Sequence, residues 1–277
     1  MATVPADLAG LRLGHIVLGD ELAKVRAALA ADLPEAAALY AARILEAGAA
    51  TVMGRLGLDP SSSSFSNLET LWDYGALGGI RVRYCAHSLR RIGNDARHLL
   101  RPVGPAHGAV AATLMDVVVD WLAAAHGLHA PPAAAGDSAI AQASTAPDLP
   151  DADLAAFADA LDADRPAGAW DTGVPACLVA EIAIQRGTPA TMAAGARLLA
   201  AAAARFPDDL RVRQLQALLH KRQGDLDAAQ RVLPPPDDEE GMGLTASISK
   251  ARWQADPTRL KDLRNAFTWY ERGWERS

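Results

Sequence analysis

The sequence predicts an all-α protein, and three observations carry that expectation. Half of the 277 residues are hydrophobic, with alanine dominant and aromatics at only 5%. Alanine is the strongest helix former, and the β-branched runs that favour strands are scarce. Apolar residues also recur every three or four positions along most of the chain, the period of a helix with one buried face. The length suffices for two domains, each with its own core.

From Asp20 to about Leu56 the helical period runs through Leu22, Val25, Leu29, Leu39, Ile44, Leu45, Val52 and Met53. Pro34 either divides two helices or opens the second. "GLDPSSSSFSN" is a loop whose serine or asparagine can cap the next helix at "LETLWDYGAL". Gly78 and Gly79 break that helix, and a longer one carries "IRVRYCAHSLRRIGNDARHLL". "RPVGPAHG" turns the chain into a strongly apolar helix that Gly127 stops. Proline, alanine, serine and glycine without periodicity mark residues 129–150 as a linker between an N-terminal bundle (1–128) and a C-terminal domain (151–277). In the latter, "AIQRGTPATMAAGARLLAAAAARFPDD" and "LHKRQGDLDAAQRVLPPPDDEE" superimpose as a weak repeat. Gly187 and Gly224 lie 37 residues apart, close to the ~34-residue tetratricopeptide period. Helical hairpin repeats are expected there.

A net charge of -6 carries no whole-protein signal for nucleic acid or membrane. Two distant cysteines, Cys85 and Cys177, offer neither a disulfide framework nor a zinc knuckle, and no metal or cofactor is expected. The N-terminal stretch lacks the basic and apolar regions of a signal peptide, and the longest apolar runs are short or interrupted by charge. A soluble cytoplasmic protein without a membrane span is therefore expected.

One stretch stands apart: "SLRRIGNDARHLL" crowds Arg90, Arg91, Asn94, Asp95, Arg97 and His98 onto a few helical turns. Seven residues return a helix to nearly the same face, so Arg91 and His98 align. An imidazole can move a proton at a ribose 2′-hydroxyl or a leaving oxygen, and a guanidinium can fork onto phosphate oxygens. Arg81, Arg83, Arg97 and Arg101 make the stretch locally basic, as a phosphate footprint would be. Equally, these residues can cap helix ends or cross-link a helix pair. Cys85 and His87 point apart on a helix and form no dyad. "PPPDDEE" reads as a solvated loop, and Trp253, Trp269 and Trp274 as core or interface anchors.

Two resemblances add to this reading. Roughly residues 20–128 resemble the helical HEPN-type domains of bacteria, most closely a subgroup of unassigned function. The resemblance rests on Arg43 with Leu45 and Glu46, on Arg90, Gly93, Asn94 and His98, and on Val118 to Leu122 around Trp121. Catalytic members are metal-independent RNases that dimerise, each subunit giving an Arg-x4–6-His motif. Arg91 to His98 has that spacing, while Arg90, the better match to the subgroup's arginine, is one residue too far. The resemblance implies Arg90, Arg91, Asn94 and His98 as candidate catalytic residues, and a homodimer through the apolar helix carrying Val117, Val118, Val119 and Trp121. Arg43 and Glu46 are expected to form an internal ion pair.

About residues 170–277 resemble the tetratricopeptide-like "TRAFs-binding" region of apoptosis-signal-regulating kinases and of bacterial conflict-system proteins. Pro207, Gln214, Ala217 and Leu218 match, followed by Gly224, Ala229 and Leu233, then Glu240, Gly243 and Lys250, and finally Ala266, Tyr270, Gly273 and Trp274. Gly241 and Ser247 depart from the family's threonine and arginine. The resemblance implies a sensor whose Glu240, Lys250 and Tyr270 line a ligand face; alternatively Glu240 and Lys250 pair and Tyr270 packs. The functions expected are an adaptor or regulator of a bacterial defence or signalling system with a protein partner, or a metal-independent endoribonuclease acting on RNA. A nucleotide-derived signal is a further candidate ligand.

Overall fold

The protein is described by a computed structural model, which covers residues 6–98, 101–128, 138–163 and 172–276. It is all-α: among the described residues only Arg12–Leu13 (β1) and Ile16–Val17 (β2) are extended, as one short antiparallel pair. The chain forms two compact units, Met1–Leu149 and Pro150–Ser277.

The N-terminal unit opens with α1 (Ala6–Ala9) and the β1–β2 hairpin. Its bundle comprises α2 (Leu18–Ala30), α3 (Pro34–Arg55), α4 (Ser64–Asp73), α5 (Ile80–His98) and α6 (Pro105–Ala125). Pro34 occupies the first turn of α3, where its missing N–H leaves no bond unmade. Ser63 caps α4 by accepting from the Ser66 amide. α3 packs on α2, α5 and α6 at the centre of the unit. By length and composition α3 and α6 could each cross a membrane, which the sequence reading did not anticipate, but more than half of each apolar stretch is buried inside the unit.

Two features bear on the expectations. Val117, Val118, Val119 and Trp121, expected to face a second copy, are all buried within their own unit. Part of the expected linker is also structured. Residues 138–149 form α7 (Ala139–Ala143) and a 3-10 turn at Ala146–Asp148, which pack on α6 and α5 and bury Ile140, Ala143 and Ala146. Residues 129–137 lie outside the described residues.

The C-terminal unit holds α8 (Asp151–Ala163), α9 (Val174–Arg186), α10 (Pro189–Arg205), α11 (Leu210–Arg222), α12 (Leu226–Val232), α13 (Glu239–Ala255) and α14 (Leu260–Arg276). Gly187 and Gly224, φ +71° and +84°, adopt the left-handed conformation that terminates α9 and α11. Thr188, Asp209, Asp225 and Asp238 cap α10, α11, α12 and α13 through side-chain oxygens. The hairpin repeat is therefore real, but its second copy is truncated. α12 has 7 residues against 17 for α10, because Pro234, Pro235 and Pro236 cannot continue it.

Candidate functional site

The arginine-rich motif lies on the last half of α5, and Gly93 fixes how that helix is turned. A Cβ on Gly93 would sit 2.3 Å from the Cβ of Ala42 on α3, so the two helices touch backbone to side chain there. With each residue rotating by about 100°, Arg90 and Arg97 fall towards α3, while Arg91 and His98 fall on the far side. The side chains obey this. Arg97 donates twice to Glu46 of α3, at 2.7 and 2.9 Å. Arg90 is buried, its guanidinium 5.3 Å from the Phe65 ring centroid. Arg91 is half-buried and donates to Ser88 Oγ at 3.0 Å. Asn94 is half-buried, and His98 is exposed at the end of α5.

The expected phosphate footprint does not survive as a set of open cations. Arg81 donates to Ser144 Oγ, Arg83 pairs with Glu69, Arg97 with Glu46 and Arg101 with Asp95. Arg43 and Glu46 do not pair with one another: Arg43 reaches Glu21 at 3.6 Å, and Glu46 is held by Arg97. Adjacent turns of α3 offered a local pair, but neighbouring helices offered better-placed partners.

A cluster that sequence reasoning missed lies between α4 and α5. Glu69 accepts from Arg83 Nε (3.1 Å) and Nη2 (2.6 Å), and its Oε1 lies 2.9 Å from His87 Nε2. Arg83 also stacks 4.8 Å from the Trp72 ring, and Phe65 tilts against His87 at 5.3 Å. The bond from His87 is the main influence holding Glu69 down at about 2; burial opposes it and Arg83 assists. Burial lowers the His87 pKa, the Glu69 bond opposes, and Arg90 and Arg91 lower it further. His87 is therefore a neutral ring at pH 7 and donates to the carboxylate. The signal was a carboxylate on one helix facing an Arg-x3-His on the next, which no local pattern joins.

Both groups sit below their ordinary values, so the folded unit binds fewer protons than the unfolded chain in acid. Its stability is full above pH ~6.5 and falls as His87 is forced to charge; the Glu69 share is present above pH 4.5 and lost between there and about 2. Discounted for the solvent that reaches Glu69, that share is about 1–2 kcal/mol. Urea midpoints measured from pH 7 to 3 should fall for wild type and fall less for Glu69→Gln. Parallel curves for the two would show that the cluster is not what titrates.

In the C-terminal unit, Glu240 lies in the first turn of α13 and pairs with Arg211 of α11, whose Nη2 is also 2.7 Å from Glu181 of α9. Burial opposes the charge on Arg211, and the two carboxylates outweigh it and raise its pKa. Gln214 donates to Asp238 at 2.9 Å, so the acidic "PPPDDEE" stretch is stitched to α11 rather than simply solvated. The Glu240–Lys250 pair is replaced by the Arg211 pair. Lys250 is exposed and, after burial and Arg222, contributes to lowering the pKa of Lys221. Tyr270 is exposed on α14. Trp253 and Trp269 are half-buried, Trp269 with Arg272 stacked on it at 4.9 Å, whereas Trp274 is 82% exposed and anchors no core.

No curated protein and no solved structure matches the chain. The model of one family does, over α11–α14 and most of α10. This is a narrower stretch than the expected 170–277, with α8 and α9 lying outside it. Residues 192–277 match the family described as Tetratricopeptide Repeats-Sensor, so this part of the C-terminal unit is similar to that sensor domain.

Proposed function

We propose that the protein is a sensor or adaptor of a bacterial defence or signalling system. In this reading the N-terminal unit is a HEPN-like scaffold, the C-terminal hairpins recognise a protein partner or a nucleotide-derived ligand, and the protein works in the cytoplasm. The match of residues 192–277 to a tetratricopeptide sensor family carries the reading, because repeats of this kind present side chains for recognition. Lys250 and Tyr270 are the exposed candidates for ligand contact, with Glu240 acting through Arg211. The contacts of Arg83 with Glu69, Arg90 with Phe65, Arg97 with Glu46 and Arg101 with Asp95 support a scaffold role for α5 over a phosphate-binding one.

A metal-independent endoribonuclease is the second reading. It is favoured by the placement of Arg91 and exposed His98 on the same outward side of α5. A composite site would also require two copies to pair through the N-terminal unit, and the burial of the apolar residues of α6 weighs against that interface.

The test is purified protein on mixed RNA in excess EDTA. The scaffold reading expects intact RNA, with His98→Ala and Arg91→Lys indistinguishable from wild type. Cleavage leaving 2′,3′-cyclic phosphate ends, abolished by His98→Ala and by Arg91→Lys, would replace it with the nuclease reading.

A further inference from the structure

α14 buries one narrow face on α13: Asp262 and Ala266 are buried, and Gly273 lies against Met242 and the Glu239 carbonyl. Beside that face runs a second apolar stripe whose residues are largely exposed among the described residues of the unit. Leu260, Leu263, Phe267, Tyr270 and Trp274 are all exposed, Phe267 at 69% and Trp274 at 82%. Their spacing of three, four, three and four residues is the a/d repeat of a helix built to pack along another helix. The stripe is roughly 21 Å long. Monomeric proteins rarely leave so continuous an apolar surface in water.

We propose that α14 pairs antiparallel with α14 of a second copy of this chain, about a two-fold axis at Phe267. The order of residues along the stripe selects this occupant. Its N-terminal half is leucine and its C-terminal half aromatic, so an antiparallel copy sets Leu260 against the partner's Trp274 and Leu263 against the partner's Tyr270, with Phe267 meeting its equivalent. The same axis brings the one charged flank into register. Arg264 and Glu271, both exposed, border the stripe on the side away from α13, and two-fold symmetry places each opposite the other's counterpart, twice. A parallel copy would instead lay aromatic on aromatic and set the Arg264–Glu271 flank against the opposite flank of its partner rather than against its own counterpart. Full coverage would bury roughly 500–600 Å² per copy, about 1,000–1,200 Å² for the pair. That lies at the lower limit of stable interfaces, so a reversible dimer is expected rather than a permanent one. This pairing depends on neither the adaptor nor the nuclease reading.

Sedimentation velocity of the full chain from 1 to 100 μM tests it, with circular dichroism confirming that each variant stays helical. Wild type should pass from monomer to dimer over this range. Phe267→Glu should raise the dissociation constant about 30-fold or more. Arg264→Glu and Glu271→Arg should each weaken the dimer about tenfold, since each sets like charges opposite twice. The double exchange, Arg264→Glu with Glu271→Arg, should restore it. A wild-type monomer at 100 μM would overturn the proposal, as would a dimer indifferent to Phe267→Glu, which would place the interface elsewhere. Charge variants that each weaken the dimer, with no recovery in the double exchange, would overturn the antiparallel arrangement.

Discussion

Replacing Arg211 with alanine is expected to destabilise the C-terminal unit by about 3–5 kcal/mol, the range for removing one member of a buried ionic group. The guanidinium is largely shielded from solvent and bridges Glu181 of α9 to Glu240 of α13. Without it, two carboxylates from different helices lose the cation that bridges them, which loosens α9, α11 and α13 together. Lysine keeps the charge but has no planar fork to hold two carboxylates at once, so Arg211→Lys should recover less than half of the loss. Hydrogen exchange gives the readout: amides of α9, α11 and α13 should lose protection in the alanine variant while those of α3 and α6 keep theirs. Unchanged protection in α9 and α13 would mean that the bridge does not hold these helices.

Gly93→Ala is expected to cost the N-terminal unit about 2 kcal/mol, against the usual preference for alanine in a helix. Helix propensity favours the change by roughly 0.5–1 kcal/mol. The added methyl, however, would stand 2.3 Å from the Ala42 Cβ, well inside contact distance, and both atoms belong to helices rather than to flexible side-chain ends. Overpacking of this kind costs about 1–3 kcal/mol or more, and here it outweighs propensity. Ala42→Gly should relieve the clash, so a double-mutant cycle by urea unfolding should yield a coupling of at least about 1 kcal/mol. Additive effects of the two changes would contradict the close approach.

Local grammar in the sequence was enough for the helices and their ends. Pro34 at a helix start, the Ser63 cap and the left-handed Gly187 and Gly224 are each decided within a few residues, and each lies where its chemistry predicts. Long-range pairing was not legible. Glu46 meets Arg97 across 51 residues, and Glu240 meets Arg211 across 29, because the rotation and crossing of whole helices choose those partners. The same holds for the Arg/His motif. Its residues were visible, but the Gly93–Ala42 contact decides which of them turn inward. Periodicity is also blind to whether a face is covered: the three-four spacing of α14 reads alike for a core stripe and an open one. Trp274, expected to anchor a core or interface, stands in water in the single chain.

The buried position of both cysteines bears on redox chemistry. Cys85 and Cys177 lie inside separate helical units, and burial pushes the Cys85 thiol up to about 12. Peroxides and disulfides react with thiolate, which Cys85 scarcely populates at neutral pH, and the protein closes the path to both sulfurs. Neither buried sulfur is therefore placed to serve as a cysteine redox switch.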